Sequence, residues 1–155
     1  MNKHNITEAS IYIVATELVG ALSAILAGGF KDFFNEYTKP PLLPPSWLFP
    51  VVWVILYAVM GFSAYLVHIS ESGYRNKALT IYWCQLVFNF LWSIVFFRFE
   101  ALKSAVAVIV VLLGLIIAMI ATFRKVNRLS ANLNIPYMLW VIFATYLNIA
   151  TIAVN

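Results

Sequence analysis

Five stretches of this chain are long and apolar enough to cross a bilayer: roughly residues 9–29, 47–68, 78–97, 102–123 and 135–154. A spanning helix needs about 20 mostly apolar residues, because its backbone must satisfy its own hydrogen bonds inside the hydrocarbon. Of the 155 residues, 63% are apolar and only 10% charged, whereas a soluble domain carries about 25% charged residues. These side chains have to face lipid. The fold class that follows is an all-α integral membrane protein: a bundle of five transmembrane helices with a long, proline-rich first loop acting as a lid. It forms one domain over residues 1–155, since no linker, low-complexity tract or repeat divides it. The first stretch has span length and lacks a small-residue cleavage end, which argues against a removable signal.

Charge sets the orientation. Lys and Arg fall almost entirely in the connections, so the net charge of +4 reads as topology rather than as affinity for nucleic acid. Lys3, Arg75, Lys77, Arg124, Lys125 and Arg128 share one side of a five-span arrangement, and Lys31, Lys39, Arg98 and Lys103 the other. The excess on the first side places the N-terminus in the cytoplasm and the proline loop outside. The Ile-, Asn- and Lys-rich usage suits a multi-pass protein of a bacterial plasma membrane. Cys84 is the only cysteine, which removes a disulfide framework and a cysteine-based metal site.

The connections at 69–77, 98–101 and 124–134 are short, so consecutive helices are expected to be antiparallel neighbours. Residues 30–46 form the longest connection. Five of the six prolines (Pro40, Pro41, Pro44, Pro45 and Pro50) lie in KPPLLPPSWLFPVVW, residues 39–53. Proline fixes φ and drives the preceding residue toward extended geometry, so this run cannot continue a helix. With Phe33, Phe34 and Tyr37 it suits a stiff lid across one mouth of the bundle, and a loop of this length is often functional.

Within lipid, small and polar residues mark the inward helix faces. Gly20, Ala24 and Gly28 form a small-residue ridge on the first span, a candidate for close helix contact or for a homodimer. Glu17 lies on the same face, three residues before Gly20. An ionisable group at this depth normally points to the bundle or to a partner. It reads either as a proton or ligand site, or as a carboxyl near the headgroups bonded to a neighbouring helix or across a dimer.

Three other spans carry aromatic stripes at helical spacing. They are Trp53, Tyr57, Gly61 and Ala64; Tyr82, Gln85, Asn89, Trp92 and Phe96; and Tyr137, Trp140, Ala144 and Asn148, the last starting after Pro136. If they converge, they build a pocket with flat aromatic walls and a few amides, suited to a small, largely apolar ligand. The alternative is plain interhelix packing, with Asn89 and Asn148 bonded to each other or to backbone. Trp47 and Trp83 read as interfacial anchors. Catalytic patterns are missing: there is no carboxylate pair at suitable spacing, no activated Ser or Cys, and no phosphate loop. His4 is terminal, and His68 ends a span.

KPPLLPP followed by FPVVWVILYAVMGFSAYLV resembles the KPxWxPPxxxFxxVWxxLYxxMGxxxYLV stretch of the TspO/MBR family. That family comprises the tryptophan-rich sensory proteins, related to the mitochondrial translocator protein or peripheral-type benzodiazepine receptor. QLVFNFLWSIVFF at 85–97 and IPYMLWVIFATYLN at 135–148 resemble the family's QLxLNxxWxxxFF and PYLxWxxFAxxLN. The resemblance implies a five-helix, often dimeric bundle with a pocket under the first loop for porphyrins, sterol-like or benzodiazepine-type ligands. It implies no cofactor or metal, with protoporphyrin or heme as a ligand. Carried over by position, the site would use Trp53, Asn89, Trp92, Trp140, Ala144 and Leu147, with Tyr57 from the stripe and Phe34, Pro44 and Phe49 from the loop.

Two departures matter. Phe33-Phe34 and Leu42 stand where the family usually has Trp-Tyr and Trp, and Ile149 replaces a tyrosine of the weak sterol motif. A membrane receptor or sensor of tetrapyrroles is therefore the leading reading. The alternatives are a slow light-dependent porphyrin-degrading enzyme using Trp53 and Trp140, and a porphyrin or metabolite transporter.

Overall fold

The computed structural model describes residues 3–28 and 36–155, and the described residues are all-helical. The spans are α1 (Lys3–Ala27), α2 (Leu48–His68), α3 (Arg75–Ser93) continued by a π-helical turn (Ile94–Arg98), α4 (Leu102–Val126) and α6 (Ile135–Val154). All five are long and apolar enough to cross a membrane. The chain is thus an integral, multi-pass membrane protein, as its hydropathy requires. The spans agree with the sequence boundaries to within a few residues, except that α1 begins well before residue 9.

Two expectations are corrected. The 124–134 connection contains a short helix, α5 (Arg128–Leu133). Asn127, which is extended, starts it by accepting a 3.1 Å hydrogen bond from the Ser130 amide, a typical N-cap. Gly28 does not extend the small-residue ridge either. It stands past the end of α1 with φ +84°, the left-handed conformation in which glycine ends helices.

Helix α1 packs chiefly on α2, α3 on α4, and α4 on α6. Helices α1 and α2 cross closely, where Gly61 lies against the backbone of Tyr12 and Ile13. Gly20 is similarly spent inside the chain, because a Cβ there would strike the Tyr57 ring. Gly20 therefore closes the α1–α2 seam at that point. Trp47 and Trp83 remain 64% and 42% exposed, in keeping with anchor positions.

The described part of the loop is fastened across the end of the bundle where α2 begins and α6 finishes. A turn closed by Leu43 N–H to the Pro40 carbonyl (3.3 Å) has Pro41 second and Leu42, at φ +63°, third. That is the type II pattern, in which the third position usually takes glycine; Leu42 points outward, 78% exposed. The Tyr146 hydroxyl donates to the Pro41 carbonyl at 3.1 Å. Thr38 and the Asn155 side chain exchange two bonds of 2.8 and 3.1 Å.

The Tyr37 hydroxyl donates to Glu100 Oε2 at 2.9 Å. That bond to a carboxylate holds its pKa above the ordinary tyrosine value. Because the folded-state value is the higher one, this contact contributes fully below about pH 10 and is lost as pH rises through the raised value. Loop cleavage by a protease active in alkali should therefore accelerate above pH 10, and Tyr37→Phe should show the faster cleavage already at pH 8. A loop equally resistant in the variant would remove this latch.

Candidate ligand-binding site

The three stripes do converge. Trp53 on α2 is the centre: its ring lies 5.4 Å from Tyr57, 6.4 Å from Trp92 on α3 and 6.3 Å from Tyr137 on α6, centroid to centroid. Trp92 in turn meets Phe96 at 5.6 Å and Phe97 at 6.0 Å. Two consecutive phenylalanines can both turn inward because the π-helical turn holds more residues per turn than an α-helix, so positions four and five after Trp92 share its face. Their rings meet edge-on at 4.7 Å. The sequence stripe included Phe96 and missed Phe97.

A polar chain runs through the same interior. The Tyr57 hydroxyl donates to Asn89 Oδ1 (2.6 Å), Asn89 Nδ2 donates to the Tyr137 hydroxyl (2.8 Å), and Tyr137 donates to Gln85 Oε1 (2.7 Å). All four residues are buried, and a buried polar group needs such a partner. The Trp92 indole N–H donates to Asn148 Oδ1 at 3.4 Å, while Asn148 Nδ2 reaches the Leu102 carbonyl at 3.2 Å. The two asparagines thus bond neither each other nor an empty space. Asn89 joins tyrosines from two other helices. The Trp140 indole differs: its Nε1 is buried without a hydrogen-bond partner.

A cavity of about 120 Å³ opens beside Trp53 between α1, α2 and α3, with Tyr57, Asn89, Trp92 and Ser93 in its wall. Helix α1 adds Glu17, Gly20, Ser23 and Ala24. Of these, the sequence offers only Glu17 as a possible ligand site, while Gly20 and Ala24 read as a packing ridge. Of the remaining expected residues, Phe49 is buried with its ring 5.9 Å from Trp140, and Ala144 and Leu147 are buried on α6. Pro44 is partly buried in the loop. Trp140, Ala144 and Leu147 do not line this cavity, and Phe34 lies outside the described residues. Pockets for drug-sized ligands measure roughly 300–1,000 Å³, so the rings occupy most of the space such a molecule needs. Among the described residues no group of His, Cys, Asp and Glu is placed to hold a metal.

Comparison with known proteins agrees with the three sequence stretches. Protein CrtK of Rhodobacter capsulatus is 32% identical over 155 residues, covering 97% of this chain and 94% of that protein. The tryptophan-rich protein TspO of Archaeoglobus fulgidus is 35% identical over 153 residues, covering 90% and 97%. The human translocator protein is 34% identical over 129 residues, covering 81% and 76%. The sequence profile of the TspO/MBR family matches residues 12–153, from the middle of α1 almost to the end of α6, and the chain belongs to that family.

Proposed function

We propose that this protein is a membrane receptor for a flat, largely apolar ligand of the tetrapyrrole class, held between the aromatic faces of α2, α3 and α6 beneath the loop. The observation that carries the reading is the ring cluster around Trp53, where rings from three helices meet. A macrocycle of low polarity stacks on indole faces. The unpaired Trp140 Nε1 gives its polar edge a donor, in a surrounding where a buried donor gains from any acceptor it meets. Binding requires the rings to part, because the interior as it stands is nearly filled. The charge bias puts the loop, and with it this entrance, outside the cytoplasm.

Titration with protoporphyrin should quench tryptophan fluorescence saturably. Trp53→Phe combined with Trp140→Phe should weaken the apparent affinity at least tenfold, a loss of about 1.4 kcal/mol or more. Quenching at unchanged concentration in the double variant would remove these two rings from the site.

A further inference from the structure

The cavity between α1, α2 and α3 has a chemistry that a tetrapyrrole does not explain. Its wall includes Ala21, Pro50 and Val54, all exposed on the outer surface, so it opens sideways into lipid. Glu17 is the one charged residue among the described residues that line it. No Lys, Arg or His is among the described residues of the wall. A carboxyl at membrane depth normally faces a cation or a donor; here the described wall supplies no cation, and a backbone hydrogen bond from Ala58 is the donor in reach.

The opposite wall consists of Trp53, Tyr57 and Trp92, whose ring faces carry the negative side of their quadrupoles and also attract cations. The amide of Asn89 is already committed to Tyr57 and Tyr137. The polar positions with acceptor capacity left are therefore the carboxyl, which takes one backbone hydrogen bond from Ala58, and the hydroxyls of Ser23 and Ser93, all suited to accept from an ammonium. A space of about 120 Å³ fits one ring, not a macrocycle.

We infer that this lateral crevice binds a small lipophilic amine, with its ammonium on the Glu17 carboxylate and its apolar body against Trp53 and Trp92. The inference shares with the receptor reading the premise that the bundle takes up apolar ligands, and it uses two of the same rings, Trp53 and Trp92, from their α1 side. It assigns a different molecule to a different opening.

The test uses the full chain in phosphatidylcholine nanodiscs at pH 7 with three probes of one shape: 4-iodobenzylamine, 4-iodobenzyl alcohol and 4-iodobenzoate. Iodine quenches indole fluorescence on contact. The amine should quench saturably at concentrations about tenfold below the alcohol, as a charge-assisted bond implies, and the benzoate should show no saturable phase. In Glu17→Gln the amine and the alcohol should become equal.

A second measurement needs no variant. The amine should protect Glu17 from labelling by dicyclohexylcarbodiimide, read by mass spectrometry, and the alcohol at the same concentration should not. Equal quenching by amine and alcohol in the unaltered protein, a preference that survives Glu17→Gln, or labelling indifferent to the amine would each overturn the inference. Protoporphyrin is titrated into the same samples. Lost porphyrin quenching with the amine preference intact counts against the tetrapyrrole reading alone, and the reverse result counts against the amine site alone.

Discussion

Replacing Gly61 by alanine should unfold a large fraction of the protein at temperatures the unaltered chain tolerates. A Cβ at this position would stand 2.6 Å from Ile13 Cα and 2.8 Å from the Tyr12 carbonyl oxygen. Both are backbone atoms of α1, so no rotamer change relieves the clash and the helices must separate. Overfilling a packed interior costs about 1–3 kcal/mol, and a backbone-on-backbone collision belongs at the upper end. Parting α1 from α2 also disturbs the contact of Gly20 with the Tyr57 ring, further along the same seam. The control is Gly114→Ala on α4, where an added Cβ meets nothing within 4 Å. There alanine should leave stability unchanged or slightly raised, because it is the better helix former. Thermal denaturation followed by size-exclusion chromatography distinguishes the two, and equal midpoints would contradict the crossing described above.

Asn89→Leu should cost about 2–4 kcal/mol, and most of that should be recovered by a second substitution at Tyr57. The leucine removes the acceptor of the Tyr57 hydroxyl and a donor to the Tyr137 hydroxyl. Tyr137 keeps Gln85, but Tyr57 is left with a buried, unpaired hydroxyl, a loss of about 1–3 kcal/mol. Hydrogen bonds between membrane helices average about 0.6 kcal/mol in double-mutant cycles. The orphaned hydroxyl therefore outweighs the bonds themselves. Removing it in Tyr57→Phe/Asn89→Leu should give a variant more stable than Asn89→Leu alone, since replacing both partners by apolar groups is nearly neutral. Strictly additive midpoints in the double-mutant cycle would mean that the two side chains do not interact.

Much of this architecture was legible in the residues themselves. The spans and the inward faces of α2, α3 and α6 follow from hydropathy and helical spacing, because each depends on what neighbouring residues can do in lipid. Trp53, Tyr57, Asn89 and Trp92 were expected together and do line one cavity. The inward turn of Phe97 was hidden, since a π-helical turn shifts the register and leaves no mark in a pattern read at 3.6 residues per turn. Helix α5 was hidden too, being too short for a periodic signal.

Periodicity says which face of a helix turns inward, but not which atom on the next helix it meets. It could list Asn89 as an amide for a ligand or for packing. The fold commits it to Tyr57 and Tyr137 and leaves Trp140 Nε1 as the buried donor without a partner. It could place Glu17 and Gly20 on one face of α1. Packing then spends Gly20 on Tyr57 and sets Glu17 in a cavity with an aromatic wall and no cation among the described lining residues. Membrane insertion is a sum over local transfer free energies and can be read along a chain. The pairing of hydrogen-bonding groups depends on positions fixed to a few tenths of an ångström between helices far apart in sequence, and these arise only when the bundle closes.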